Sequence, residues 1–347
     1  MRAKAWIDQL RELRDLPPQG FRAILELSDS ESLEYLYSSA REVAAANFGK
    51  QVFVRGLIEI TNLCRNNCYY CGIRASNSEV IRYSLSDEQI LECCAMGYQL
   101  GFRTFVLQGG EHPSMSGDRL VELVSAIRNS YPDCAITLSV GEWSKELYQR
   151  LFDAGANRYL LRHESHNAKH YGSLHPSTNS ITSRLSALDN LKEIGFQTGT
   201  GIMVGSPEQS LDNILEDIEY IKLFKPEMVG IGPFIPHHAT PFAKHKAGDV
   251  ELTLKLISIF RLINPKLLIP STTALASLAK DGRERGILAG ANVVMPNISP
   301  VGVRSNYSLY DNKAAFGKES AEGLNLLGES LEAIGYSINF DRGDYVK

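Results

Sequence analysis

The chain has 347 residues, 44% of them hydrophobic, and its 36 Lys+Arg against 40 Asp+Glu leave a net charge of −4. That balance gives no basic footprint for nucleic acid, and the ordinary apolar share excludes a disordered chain. No run of about 18 uncharged apolar residues occurs, so no membrane-spanning helix is expected.

The opening, MRAKAWIDQLRELRDL, mixes both signs of charge and has neither an apolar h-region nor a small-residue cleavage site. It does not read as a signal peptide, and a cytoplasmic protein is expected. Trp6, Ile7, Leu10 and Leu13 recur at helical spacing. A second helix is expected from Glu31 to Asn47, with Leu33, Leu36, Ala40 and Val43 on one face and Ser28 or Ser30 as its cap.

From Gln51 the rhythm changes. Eight short apolar runs follow: VFVRGLIEIT, TFVLQGG, AITLSVG, RYLLRHE, TGTGIMVG, MVGIGPF, LLIPSTT and NVVMPNIS. Amphipathic segments of helical period lie between them, several ending at a glycine (Gly101, Gly155, Gly195). Near-continuous apolar strands alternating with helices mean a parallel sheet. Eight units favour a closed (β/α)8 barrel of the TIM type over an open doubly wound sheet. The expected division is an N-terminal helical extension over 1–50, the barrel over 51–310, and a closing helix and tail over 311–347. The closing helix is expected over Phe316 to Tyr336.

Chemistry in such a barrel sits at the carboxyl ends of the strands. The polar residues there are Gln108, Gly109, Gly110, Glu111, Ser139, Arg162, His163, Glu164, Thr272, Thr273 and Asn297. The segment ITNLCRNNCYYCGIR, directly after the first strand, spaces three cysteines as Cys64-x3-Cys68-x2-Cys71. Three thiolates so close can hold three corners of a cubane 4Fe–4S cluster and leave the fourth iron open to a small molecule. A structural zinc site wants four ligands, and no Cys or His follows until Cys93 on a helical segment. A redox thiol pair needs only two cysteines, and a polar loop is a poor place to bury three as packing residues.

C-x3-C-x2-C on the loop after strand one of a β/α barrel resembles the radical S-adenosylmethionine (SAM) superfamily. Tyr70 matches the aromatic that contacts adenine there. Gly109-Gly110-Glu111 resembles the GGE motif that receives the SAM amino group. Gly201 to Glu208 resembles the GxIxGxxE motif, with Met203 where Ile is usual. Glu164 and Arg184 sit where related enzymes hold the ribose or the methionine carboxylate, and Ser139 joins them on the cofactor side. The strings VLQGGEHP, LSVGEW, NRYLLRHES, MVGIGPFIPHHATP and ANVVMPNISP are similar to the FeFe-hydrogenase maturase HydE family over most of the chain.

The resemblance implies one 4Fe–4S cluster and SAM, cleaved reductively to a 5′-deoxyadenosyl radical in an oxygen-free site. It implies an organometallic substrate, an iron–CO–cyanide–cysteine complex, met by Gln108, Arg162, Thr272, Thr273, Met295 and Tyr310. Arg162 and two threonine hydroxyls would then make an anion-friendly pocket. It also implies partner maturases and an electron donor of the flavodoxin or ferredoxin kind. Some members hold a second cluster on three C-terminal cysteines. Here SNYSLYDNKAAFGKESAEG has none, and no second cluster is expected. The alternative enzyme is a methylornithine synthase that rearranges lysine. A biotin-synthase-like sulfur insertion fits less well, and a carrier that binds an iron complex without radicals is the reading from another class.

Other signals carry less. His166 and His170 stand at i,i+4 without a third ligand in reach of a known motif. His237-His238 lies in a Pro-rich loop where solvent exposure is the simpler reading. A salt bridge between Glu164 and Arg184 is the structural alternative to their cofactor role. Cys93, Cys94 and Trp143 read as packing residues, and no Gly-x-Ser-x-Gly elbow occurs.

Overall fold

The computed structural model describes residues 2–112 and 115–346; Pro113, the end of the VLQGGEHP string, lies outside the described residues. Three helices lead the chain: α1 (Arg2–Leu13), α2 (Pro18–Leu25) and α3 (Ser30–Phe48). The cap of α3 is Asp29, between the two expected serines, and its carboxylate accepts from the Ser32 N–H at 2.8 Å. A carboxylate at this point also faces the positive end of the helix dipole, which a serine hydroxyl does not exploit.

The strands are β1 (Gln51–Val54), β2 (Gly56–Thr61), β3 (Thr104–Gly109), β4 (Ala135–Ser139), β5 (Arg158–Leu160), β6 (Gln197–Val204), β7 (Met228–Pro233), β8 (Val293–Val294) and β9 (Ser337–Asn339). The helices between them are α4 (Asp87–Gln99), α5 (Gly117–Ser130), α6 (Lys145–Asp153), α7 (Ala168–Leu174), α8 (Ile181–Ile194), α9 (Leu211–Phe224), α10 (Val250–Ile263), α11 (Thr273–Leu278) and α12 (Gly282–Leu288), and α13 (Leu324–Glu332) follows β8. Serines start most of the crossover helices. Ser86 and Ser210 form capping boxes with Gln89 and Asn213, and Ser116 and Ser144 accept from the third helical N–H.

β2 to β7 form one parallel sheet in chain order. Residues such as Leu57↔Val106, Leu138↔Tyr159 and Thr200↔Val229 stand in register. β2 and β7 are buried throughout, as strands covered on both faces must be. The return from β7 to β2 runs through isolated bridges, Met228↔Leu268, Pro270↔Val293 and Leu57↔Asn297. The run LLIPSTT therefore forms no strand. Pro270 has no N–H to give the ladder, and Pro296 cuts β8 to two residues for the same reason.

The first expected strand is two. The chain breaks at the buried Arg55, so β1 leaves the ring and joins β8 and β9 in a second parallel sheet. The expected closing helix is also broken into two 3-10 turns, Gly317–Glu319 and Ala321–Gly323, ahead of α13. A Cβ on Gly323 would lie 2.0 Å from the Gly317 carbonyl, so two glycines pack backbone to backbone where a helix would keep them apart. After β9 the tail passes beneath the barrel. Asp344 pairs with the fully buried Arg158 at 2.6 Å, and the Arg342 carbonyl accepts from Thr104 Oγ1 and Arg158 Nη2. Among the described residues no helix is long and apolar enough to cross a membrane.

Candidate active site

Cys64, Cys68 and Cys71 follow β2 on a loop without regular structure, held from several sides. Arg65 N–H donates to the Glu111 carbonyl (2.6 Å), Tyr69 N–H to Leu174 (2.9 Å) and Gly72 N–H to Leu309 (2.8 Å). Arg82 gathers the loop from behind: its two terminal nitrogens donate to the carbonyls of Asn62, Ile73, Arg74 and Asn77 at 2.6 to 3.0 Å. The Asn62 side chain, fully buried, donates to Ile81 and Asn306 and accepts from the Tyr83 N–H. Neither residue stands out in the sequence, because their partners are backbone atoms that carry no sequence signature.

The three thiols are free and partly exposed. Burial pushes all three up, Cys68 to about 12, so they keep their protons until a cation replaces them. A single ion with metal–sulfur bonds near ~2.3 Å would hold its sulfurs less than about 4.6 Å apart. Among the described residues, the only three such ligand atoms within 4.8 Å of one another belong to His237, His238 and Asp311. The sulfurs thus do not converge on one ion, which disfavours zinc and fits a multi-iron cluster.

Glycines let the neighbouring strand ends close on this loop. A Cβ on Gly110 would sit 2.2 Å from the Leu63 carbonyl and 2.8 Å from Cys64 Cβ. Gly141, at φ +84°, leaves room for the Glu111 side chain, whose Oε1 accepts from Glu142 N–H at 3.2 Å and whose Oε2 faces Arg65 at 3.4 Å. In the GxIxGxxE segment, Gly201 permits contact of β6 with the Gly230 carbonyl of β7, and Gly205 takes a left-handed φ of +70°.

A cavity of about 350 Å³ opens at the carboxyl ends of the strands. Tyr70, Cys71, Gly109, Ser139, Glu164, Arg184 and Met203 line it, and so do Gln108, Arg162, Thr272, Thr273, Met295 and Tyr310. Cys64, Cys68, Gly110 and Glu111 do not; they belong to the loop and strand end beside it. Glu59, Tyr307 and Lys313 also line the cavity and were not foreseen. Glu59 is fully buried, accepts from Lys313 Nζ at 2.6 Å and from Asn297 Nδ2 at 2.8 Å, and burial still pushes its pKa up. A charged residue at the centre of an apolar strand, GLIEIT, was the available signal.

Tyr70 is oriented by His175. His175 is buried and its pKa is driven down to about 4, chiefly by burial, so it is neutral near pH 7. Its Nδ1 lies 2.9 Å from the Tyr171 carbonyl and must carry the proton; Nε2 then accepts from the Tyr70 hydroxyl at 3.2 Å. His163 and His170 are held by protein partners: His163 bonds Thr200 and Asp217, and His170 bonds Ser165 and the Pro207 carbonyl. The exposure expected of the His237-His238 pair holds only for His238. His237 is buried beneath the loop, against Gly72.

The polar residues resolve one alternative and change one expectation. Glu164 and Arg184 do not pair with each other. Glu164, at a strained φ of +64°, accepts from Arg162 Nη2 at 2.9 Å. Arg184 Nε lies 2.7 Å from Glu142, and its Nη1 donates to the Arg162 carbonyl. Nor do two threonine hydroxyls face the cavity freely. Thr273 donates to Glu319, which also holds Arg283, whereas Thr272 Oγ1 and Arg162 Nε are buried without a partner. Both atoms are closed off from the cavity as well, so each lacks a hydrogen-bond partner behind the wall and is costly to the fold.

Residues 58–221 match the model of the Radical SAM superfamily. The chain is 39% identical over 332 residues to the FeFe-hydrogenase maturase subunit HydE of Thermotoga maritima, covering 96% of this chain and 94% of that one. It is 32% identical over 297 residues to 3-methylornithine synthase of Methanosarcina acetivorans, covering 84% and 83%. The crystal structure of methylornithine synthase superposes with a TM-score of 0.86 at 28% identity, over 96% of this chain and 97% of that one. The family implies a 4Fe–4S cluster and SAM, and the three thiols, the aromatic beside them and the strand-end cavity could hold them. The chain is a radical SAM enzyme, a relative of the hydrogenase maturase HydE and, at lower identity, of methylornithine synthase and biotin synthase.

Proposed function

We propose that this enzyme serves hydrogenase active-site maturation in the manner of HydE, acting on an iron–CO–cyanide–cysteine precursor. The observation that carries the reading is one continuous cavity. It has Cys71 and Tyr70 in its wall and reaches past Arg162 and Thr272 to Leu57 and Gly230, deep between the strands. The 39% identity to HydE across nearly the whole chain supports the same assignment.

In this reading Cys64, Cys68 and Cys71 hold the single cluster. Tyr70, Gly109, Gly110, Glu111, Ser139, Glu164, Arg184 and Met203 hold SAM beside it. The cluster those thiolates would hold, once reduced by an external electron donor, would supply the electron for reductive cleavage of SAM. The chain's own work is placement and exclusion. His175 fixes the Tyr70 ring, Arg162 orients Glu164, and the cavity wall keeps water from the reacting atoms. The partly exposed Arg162 guanidinium would face an anionic, cyanide-bearing substrate, and a rotation of the Thr272 side chain would bring its unpaired hydroxyl to it, with Gln108, Thr273, Met295 and Tyr310 completing the wall. Partner maturases and a flavodoxin or ferredoxin donor in the cytoplasm belong to the same proposal.

A methylornithine-synthase-like lysine mutase is the second reading, favoured by the TM-score of 0.86 to that enzyme. The decisive experiment offers the reduced, SAM-loaded enzyme the iron–cyanide–cysteine complex and lysine in parallel. Consumption of the iron complex alone is expected. Conversion of lysine would replace this proposal with the second reading, and SAM-independent binding of the iron complex without turnover would make the chain a carrier.

A further inference from the structure

Beside the cysteine loop stands a second group of metal-ligand side chains that the radical chemistry does not use. His237 and His238 follow β7, Asp311 lies in the segment leading to the C-terminal turns, and Glu79 lies in the loop after the cysteines. The imidazoles of His237 and His238 stack, with ring centroids 4.3 Å apart and planes 23° from parallel. Asp311 Oδ1 lies 2.6 Å from His238 Nδ1 and 3.9 Å from His237 Nε2. All three ligand atoms fall within 4.8 Å of one another. An ion with bonds near ~2.1 Å holds tetrahedral ligands about 3.4 Å apart, midway between these two separations.

The supporting contacts are those a metal site uses. Asp311 Oδ2 accepts from the His238 N–H at 2.9 Å, and the Asp311 N–H donates to the Pro236 carbonyl at 3.1 Å. Oδ1 faces the two rings and is hydrogen-bonded to His238 Nδ1 at 2.6 Å, through a proton that a metal ion would replace. With Nδ1 of His238 on a metal, its Nε2 carries the proton and donates to Glu79 Oε2, 3.1 Å away. A carboxylate behind a ligating histidine fixes the tautomer and raises the basicity of the ring. His237 is buried, so one ligand is already ordered. Its Nδ1 accepts from the Ala239 N–H at 3.1 Å, so a metal on Nε2 moves the ring proton to Nδ1 and turns this N–H away, a cost that the other contacts must outweigh.

The geometry points to a divalent transition-metal site formed by His237 Nε2, His238 Nδ1 and Asp311 Oδ1, with Glu79 behind His238. Two imidazoles and one carboxylate select a borderline ion such as Zn²⁺ or Co²⁺. Its role is a clasp. The 307–313 segment supplies Tyr307, Leu309, Tyr310 and Lys313 to the cavity wall, and the Leu309 carbonyl accepts from the Gly72 N–H next to Cys71. Metal at Asp311 ties that segment to the loop after β7, and through Glu79 to the loop after the cysteines. The inference does not depend on which substrate fills the cavity.

The test uses cluster-loaded enzyme under anaerobic conditions, with Zn²⁺ as the probe in competition with a chromophoric chelator. One zinc per chain beyond the cluster iron is expected. His238→Ala, at an exposed position outside the core, and Asp311→Asn should each weaken binding at least about 100-fold, and Glu79→Gln about 10-fold. Zinc should also slow hydrogen exchange at 307–313 in the parent enzyme and not in Asp311→Asn. The same zinc binding should persist when Cys64, Cys68 and Cys71 are all changed to Ala. Undiminished binding in Asp311→Asn and His238→Ala, or loss of it with the cysteines, overturns the inference.

Discussion

The two ends of the barrel are built on opposite terms. At the amino ends of the strands a buried cation meets its partner. Arg158 is held by Asp344, the Arg342 carbonyl and Thr104 Oγ1, and the tail covers the opening. At the carboxyl ends a cavity stays open, three thiols hold protons that burial favours, and Thr272 Oγ1 and Arg162 Nε lack partners. The tail supplies a counter-charge at one end; at the other, among the described residues, no carboxylate or tail fills the space, and a bound molecule can. In a parallel barrel this follows from chain direction: crossover loops of variable length and composition all emerge at the carboxyl ends.

The largest expected effect is at the open end. Changing Cys64, Cys68 or Cys71 to Ala should remove the cluster and lower 5′-deoxyadenosine formation at least ~1000-fold, with the melting temperature of the cluster-free protein unchanged; retained SAM cleavage in any single variant would break the comparison. Gly110→Ala should come next. Its Cβ would press on the Leu63 carbonyl at 2.2 Å and move the cysteine loop. Iron content should fall by more than about half and SAM cleavage at least ~10-fold.

At the closed end Asp344→Ala should leave the rate of SAM cleavage by folded enzyme unchanged and lower stability. Orphaning a fully buried cation costs about 3–5 kcal/mol, and because Asp344 is 34% exposed about 2–3 kcal/mol is expected from denaturant titration. Burial would raise the Asp344 pKa, but Arg158 and Arg342 outweigh it and the net shift is downward. Its stabilisation is therefore complete above the ordinary carboxylate range and fades as pH falls below it. A loss of stability in Asp344→Ala that is the same at pH 7 and pH 3 would contradict this.

A finer contrast lies within the cavity wall. Thr272→Val removes a hydroxyl that no protein group uses, so stability should hold while substrate KM rises roughly 10-fold. Thr273→Val strips a donor from the Glu319–Arg283 pair and should cost about 1–2 kcal/mol of stability instead. The smallest effect concerns His175. Its folded pKa of about 4 lies below the usual 6.5, so the unfolded chain binds the proton first. Stability should decline as pH falls from about 6.5 to 4 and then level off for this group. His175→Gln should flatten that part of the curve, as read from melting temperature against pH.

What was legible in the sequence follows from locality. The cysteine spacing, the GGE string and the strand–helix alternation are short-range patterns, and each marks its own place. Tyr70, Ser139, Glu164 and Arg184 were named from motifs and do line one cavity. The failures share a cause. LLIPSTT reads as a strand by apolar content, yet Pro270 denies it a ladder bond. Arg82, Asn62 and His175 act on backbone atoms or on a ring distant in sequence.

The sequence by itself determined the barrel class, the three-thiol loop and the strand ends on which chemistry sits. Periodicity and spacing are properties of neighbouring residues, and neighbours are what a sequence displays. The tertiary structure alone decided which charges pair, which hydroxyl is left without a partner, where the tail seals the floor, and that His237, His238 and Asp311 meet. Those outcomes depend on distances between residues far apart in the chain, which are set only when the sheet closes and the loops settle on its rim.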